Sequence, residues 1–190
     1  QFGLDRPDVV TAIHKRYYDA GCNVVSTNTF GVNGLKYADD DIEKMTKNAL
    51  ACVAAARDQS DGTQKKFIAL DLGPLGKLLK PYGELDFEEA VAAFAKTVNA
   101  GKDKADLVFI ETMNDAYETK AALLAAKENC DLPVFVSNAY SEDGRLMSGA
   151  DPAVMVAMLE GLGADAIGVN CSLGPKALAP IVEKYLELAS

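Results

Sequence analysis

Short apolar segments alternate along this chain with longer segments whose apolar residues recur at helical spacing. Five such apolar segments are present, at 23–30, 67–73, 107–113, 133–140 and 166–172. Within each segment the apolar character is continuous rather than alternating, and a polar turn follows. Continuous apolar runs of this length are typical of strands in a parallel sheet that is covered on both faces. We therefore expect five parallel strands.

Six longer segments show helical periodicity, at 7–21, 41–59, 86–101, 115–130, 151–163 and 175–190. Pro7 suits the first turn of the first helix and Gly21 suits its carboxyl-terminal cap. The apolar residues that share one face of this helix are Val9, Val10, Ile13 and Tyr17.

Alternating strands and helices predict an α/β protein with a parallel sheet, either an open doubly wound sheet or a (β/α)₈ TIM-type barrel. No G-x-G-x-x-G follows the first predicted strand, which disfavours a dinucleotide-binding open sheet. Polar residues end all five predicted strands, which favours the barrel, because barrel active sites are built there. A whole barrel takes about 250 residues and eight strands. We therefore expect residues 1–190 to form one domain that is an incomplete barrel.

Charge and composition exclude some classes of function. The net charge of −9 argues against a nucleic-acid partner, because phosphate binding requires a basic surface. No apolar run approaches the roughly 20 residues of a membrane helix. The chain starts at Gln1 with neither an initiator Met nor a signal-peptide core, so we expect a cut end. Four widely spaced cysteines without a C-x-x-C motif predict a reducing, cytoplasmic setting.

Two residues at predicted strand ends are the main candidates for chemistry. Cys171 lies in 167-IGVNCSLGP-175, where an apolar run gives way to a glycine-containing turn. As a residue type it is a core thiol, a nucleophile, half of a disulfide or a metal ligand. Glu111 ends the apolar run 107–110, and is either a solvated strand terminus or a partner for a cationic group.

Asparagines also lie near the ends of two of the predicted strands, the first and the one that carries Cys171. Asn28 and Asn170 either satisfy the backbone of a turn, as Asn often does, or orient a substrate or the loop that carries Cys171. Turn chemistry is the favoured interpretation for Asp71, Ser137 and Asn138.

The remaining cysteines and the single histidine give weaker signals. His14 is expected to be a surface or hydrogen-bonded helix residue. Cys52 fits a core position, and Cys22 and Cys130 precede strands at the end opposite to the candidate site.

Four motifs in order along the chain resemble the homocysteine S-methyltransferase family, and the resemblance spans essentially all 190 residues. The motifs are Thr27-Asn28-Thr29-Phe30-Gly31, Asp71-Leu72-Gly73-Pro74, Glu111-Thr112 and Gly168-Val169-Asn170-Cys171. The resemblance implies a (β/α)₈ barrel of which this chain supplies about strands two to six. The first strand and the last two strands are then missing.

The resemblance also implies a zinc site and a reaction. In the family three cysteines hold one zinc; the first matches Cys171, and the other two, an adjacent pair, lie beyond Ser190. Glu111 matches the position that binds the amino group of homocysteine, and Asn170 and Asn28 are expected to assist substrate binding. The implied reaction is zinc-dependent methyl transfer to the thiol of homocysteine, giving methionine, in which zinc keeps the substrate sulfur as a thiolate.

The nearest resemblance within the family is to the homocysteine-binding module of cobalamin-dependent methionine synthases. It implies that other modules of a longer chain are partners and carry methylcobalamin and methyltetrahydrofolate. Other family members use betaine or S-methylmethionine, and these residues do not decide among the donors.

Two alternative hypotheses compete with this interpretation. One is a different barrel enzyme whose site uses the strand-end carboxylates Glu111 and Asp71. The other is a non-catalytic barrel fragment whose unpaired sheet edges favour homo-oligomers.

Overall fold

The computed structural model describes residues 2–190 as alternating strands and helices. The strands are β1 Val24–Ser26, β2 Phe67–Leu72, β3 Leu107–Met113, β4 Val134–Asn138 and β5 Ala166–Val169. The helices are α1 Phe2–Asp5, α2 Pro7–Asp19, α3 Asp39–Gln59, α4 Phe87–Gly101, α5 Ala116–Asn129, α6 Pro152–Gly161 and α7 Pro175–Leu188. All five predicted strands and six predicted helices are present, and the short α1 is an addition.

The five strands form one parallel sheet whose spatial order follows the chain, β1-β2-β3-β4-β5. A doubly wound sheet would reverse its strand order at a switch point. Here each helix from α2 to α7 packs on the next one, as one layer on one face of the sheet. Because right-handed crossovers that never reverse direction produce the arc of a barrel, the open-sheet alternative is excluded.

The face of the sheet beneath the helices forms the main core. Ile68, Leu70, Val108, Ile110 and Val136 point to this face, and each is at most 2% exposed. On the opposite, inner face, Phe109 and Phe135 are only half-buried. The expectation that both faces are fully covered is therefore wrong for the described residues, because the arc leaves its inner face open.

Helix α2 buries a different face from the apolar one noted in the sequence. Val10, His14 and Tyr18 are buried, whereas Ile13 and Tyr17 are 46% and 57% exposed. Tyr18 is anchored in the core because its hydroxyl donates to the Phe67 carbonyl, at 2.9 Å. Tertiary contacts, and not the apolar count of each face, decide which face turns inward.

His14 is neither on the surface nor hydrogen-bonded, so the expectation for it is wrong. It is 8% exposed, and its Nε2 atom has no hydrogen-bond partner in the part of the chain that the structure describes. Burial lowers the pKa of His14 below its usual value of 6.5, because the charged imidazolium is poorly solvated there.

The buried His14 predicts a pH-dependent stability. As pH falls below 6.5 the unfolded chain takes up a proton that the folded chain resists, so stability is lost on the acid side. We expect thermal unfolding midpoints, measured between pH 5 and 8, to fall less for His14→Leu than for the native chain, by on the order of 2–4 °C. Parallel pH profiles for the two proteins would contradict this.

None of the helices among residues 2–190 combines the length and apolar character needed to cross a membrane.

Candidate active site

Strand register brings two carboxylic acids together at the carboxyl end of the sheet. Asp71 on β2 is in register with Phe109 on β3, so the two side chains point to the same face. Glu111 lies two residues after Phe109 and therefore shares that inner face, because side chains alternate along a strand. Asp71 and Glu111 are consequently neighbours on the inner face.

Asn170 joins three strands at the same edge. Its Nδ2 donates to Glu111 Oε2 at 3.2 Å and to Thr112 Oγ1 at 2.8 Å. Its Oδ1 accepts from Ser137 Oγ at 2.9 Å and from the Thr112 backbone N–H at 3.2 Å. Because a backbone N–H can only donate, these contacts fix the orientation of the amide, and Nδ2 faces the Glu111 carboxylate.

Cys171 is the exposed member of this group. Its Sγ lies 3.5 Å from Asn170 Nδ2 and 3.8 Å from Thr112 Oγ1. The thiol is free and faces solvent beside the Glu111–Asn170 pair. A carboxylate and a thiol are thus connected through one amide, an arrangement able to bind a small molecule that carries a cationic group and a sulfur or metal-binding group.

Backbone strain is concentrated at this edge. Among the described residues, the non-glycine positions with left-handed φ are Thr112 at 62°, Cys171 at 54° and Ser172 at 57°. Thr112 is β-branched, which makes this conformation especially unfavourable, and it lies in an irregularity of the β3–β4 pairing. Such strain persists where the surroundings impose it and is concentrated at functional sites.

Asp71 is held rigidly at its backbone, whereas one oxygen of its side chain has no hydrogen-bond partner among residues 2–190. Its N–H donates to Thr27 Oγ1 at 3.1 Å, and its carbonyl accepts from Thr29 Oγ1 at 2.7 Å. The side chain is buried at 4% exposure, and Oδ1 has no hydrogen-bond partner. Burial, and then the neighbouring Glu111 carboxylate, raise the pKa of Asp71 to about 8.

The structure brings three of the four predicted site residues together. Glu111, Asn170 and Cys171 form one hydrogen-bonded group. Asn28 is exposed, and its amide lies beside Gly3 of α1, with no hydrogen bond to that group in the part of the chain described.

Three residues that take part in the site were not among the four predicted site residues: Asp71, Thr112 and Ser137. Asp71 had a functional role only in the alternative hypothesis of a barrel enzyme that uses strand-end carboxylates. Asp71 and Ser137 were assigned to turns, yet Asp71 faces Glu111 and Ser137 holds Asn170. Alternation within each strand could have found both, since both lie on the inner face. Asn138 points the other way and is structural: its Nδ2 donates to the Met113 carbonyl and to Thr119 Oγ1, both at 3.1 Å.

The other three cysteines lie in packing environments. Cys52 is 3% exposed, as expected for a core residue. Cys130 Sγ donates to the Ala126 carbonyl at 3.3 Å, and Cys22 packs against the core near α2. Within residues 2–190 no group of three or more His, Cys, Asp or Glu side chains is placed to hold a metal ion.

The family model described as homocysteine S-methyltransferase matches residues 2–190. The chain belongs to the homocysteine S-methyltransferase family. All four motifs that suggested this family lie at the carboxyl ends of strands, and two of them, Glu111-Thr112 and Gly168–Cys171, meet in the group around Asn170.

Curated relatives from the homocysteine S-methyltransferase family include two methionine synthases. The one from Mycobacterium leprae (strain TN) is 33% identical over 181 residues, and the one from Mycobacterium tuberculosis (strain ATCC 25618 / H37Rv) is 29% identical over 181 residues. Each match covers 90% of this chain but only 15% of the relative. The chain therefore spans about a seventh of the length of these methionine synthases.

Solved structures of the family show the same fold. The homocysteine methyltransferase MmuM from Escherichia coli matches in its apo form with a TM-score of 0.83 at 18% identity, covering 100% of this chain and 71% of that one. Its metallated form matches with a TM-score of 0.84 at 19% identity, and the match covers 99% of this chain and 71% of that one. The barrel interpretation is confirmed, with this chain as an incomplete segment of the barrel.

Proposed function

We propose that this chain is the homocysteine-binding part of an enzyme that transfers a methyl group to the homocysteine thiol and produces methionine. The observation that carries the proposal is the joining of the Glu111 carboxylate and the exposed Cys171 thiol through Asn170. Family membership and relatives named methionine synthase support it.

Glu111 is proposed to bind the substrate's ammonium group. Among residues 2–190 neither Glu111 nor Asp71 forms an ion pair with Lys, Arg or His, so the carboxylates remain available to an incoming cation. Asn170 holds Glu111 from one side and lies against the Cys171 thiol on the other. One residue thereby sets the spacing between the amino end and the sulfur end of the substrate. For Asn28 a substrate-orienting role stays a prediction.

Cys171 is proposed as a zinc ligand. The donor fits the metal, since the thiol is exposed at the mouth of the inner face and is not used in packing. The described residues contain no group of three His, Cys, Asp or Glu side chains placed to hold a metal ion, so the remaining ligands would come from a segment outside them. Zinc, when bound, supplies a Lewis acid that keeps a coordinated thiol deprotonated at neutral pH.

The longer polypeptide is proposed to complete the barrel and supply the methyl group. In the described arc, β1 and β5 each have one strand neighbour, so further strands could pair at both edges. The donor is proposed to be methylcobalamin recharged from methyltetrahydrofolate on other modules, in a cytoplasmic enzyme. Alternatively, an incomplete barrel would form homo-oligomers by pairing the free edges of its sheet.

A second candidate function rests on the adjacent Asp71 and Glu111. Two carboxyl groups that interact so closely, one with a raised pKa, are also typical of acid–base enzymes. A barrel enzyme of that class would use the pair on a substrate that need not contain sulfur.

A methyl-acceptor assay distinguishes the two candidates. We expect the full-length protein, supplied with methylcobalamin and methyltetrahydrofolate, to convert homocysteine to methionine. Cysteine, one methylene shorter, serves as the control, and we expect a rate lower by about 10-fold or more, because its sulfur and ammonium cannot both reach their partners. The proposed function is wrong if zinc-loaded protein methylates no homocysteine when it is supplied with methylcobalamin and methyltetrahydrofolate, with betaine, or with S-methylmethionine.

A further inference from the structure

The Asp71 side chain has no evident structural task. Its backbone is already held by Thr27 and Thr29, and within residues 2–190 no group donates a hydrogen bond to its buried Oδ1. A buried carboxylate without donors is destabilising, so a fold would not benefit from it for packing alone. The carboxyl group points instead to the inner face, against Glu111.

The contact between Asp71 and Glu111 requires a proton. Two ionised carboxylates can only accept hydrogen bonds, whereas a carboxylic acid can donate one to a carboxylate. Glu111 is the ionisable group that acts on Asp71 among the residues described; from β1 the neighbours are the hydroxyls of Thr27 and Thr29, which do not titrate near neutral pH. With its pKa raised to about 8, Asp71 holds this proton at neutral pH and can donate it to the Glu111 carboxylate.

We propose that Asp71 is a second carboxylate of the ammonium subsite, and that the ammonium group of the amino acid replaces the proton shared by Asp71 and Glu111. This inference rests on the proposed function. The ammonium then donates its N–H groups to both carboxylates, and the displaced proton passes to solvent. Each binding event releases one proton, and the net charge of the filled subsite equals that of the empty one.

Proton release makes binding pH-dependent in a defined direction. Below the pKa of Asp71, which is raised to about 8, each binding event must displace a proton, so affinity rises as pH rises. We expect about a tenfold gain in affinity per pH unit between pH 6 and 7, levelling off above pH 8.

Methionine is the appropriate probe, because it carries the ammonium group and no thiol proton. Titration calorimetry of the full-length protein with methionine at pH 7, in two buffers of different ionisation enthalpy, counts the protons released. We expect about one proton for the native protein and none for Asp71→Asn, whose affinity no longer changes between pH 6 and 8. Asp71→Ala provides the same test should the asparagine variant not fold.

Two results would overturn the inference. Equal proton release by native protein and both Asp71 variants would show that Asp71 does not take part. A native protein that binds neither methionine nor homocysteine would remove the proposed function itself, which is a distinct outcome. As a control, 4-mercaptobutanoate lacks the ammonium group, and its affinity should be unchanged by Asp71→Asn.

Discussion

Full-length protein in which Cys171 is replaced by alanine is expected to lose its zinc and its methyl transfer to homocysteine. The thiol is exposed, and Cys171 is the described cysteine that lies beside Asn170 and Thr112. Loss of a residue that only hydrogen-bonds to a metal ligand already lowers metal affinity or activity by about 10- to 100-fold. We therefore expect loss of the ligand itself to lower activity by more than about 100-fold. Zinc per chain and the rate of methionine formation measure the effect.

The matched control is Cys22→Ala, which removes a half-buried cysteine that is not part of the hydrogen-bonded group of Glu111, Asn170 and Cys171. This variant should keep its zinc and its activity. Full zinc content in Cys171→Ala would remove Cys171 from the metal site and leave it as an exposed strand-end thiol.

Glu111→Gln is expected to weaken homocysteine binding by about 100-fold, because an ammonium group loses its charged partner while the side chain keeps its shape. The effect should appear in Kd, or in KM with a smaller change in kcat, since Glu111 binds the amino end and not the reacting sulfur. Equilibrium binding of homocysteine and of 4-mercaptobutanoate measures it. The second ligand has no ammonium group and should bind native and variant protein alike.

Glu128→Gln is the control for charge, because Glu128 is an exposed glutamate in the last turn of α5, which leads to the amino end of β4 and not to the carboxyl ends that carry the site. An equal loss of affinity for both ligands in Glu111→Gln would point to a collapsed site rather than a lost ammonium contact. Zinc content should be unchanged in Glu111→Gln, which separates this prediction from that for Cys171.

Asp71 shows why the site was only partly predictable. Its position before Gly73 and Pro74 resembles a turn, and nothing local indicates that its carboxyl group meets Glu111 forty residues later. The register of β2 against β3 creates that contact, and burial beneath the strand ends raises the pKa. Both are properties of the assembled sheet.

Thr112 shows the same limit for conformation. A threonine in a strand is expected to be extended, since β-branched residues disfavour left-handed φ. Two hydrogen bonds between Thr112 and Asn170, fifty-eight residues further along the chain, accompany the left-handed turn at Thr112. This turn places the Thr112 hydroxyl between Glu111 and Cys171. No local pattern predicts a conformation that a distant partner imposes.

Periodicity and motifs are local along the chain, and they were sufficient to predict the order of strands and helices, the parallel α/β class and the family. They also led to the hypothesis that Glu111, Asn170 and Cys171 form the site. Packing and strand register place His14 rather than Ile13 on the buried face of α2 and Asp71 beside Glu111. They also leave Asn28 without a hydrogen bond to the Glu111–Asn170–Cys171 group among residues 2–190. Those outcomes depend on which elements become neighbours, and the register and packing between distant segments set that.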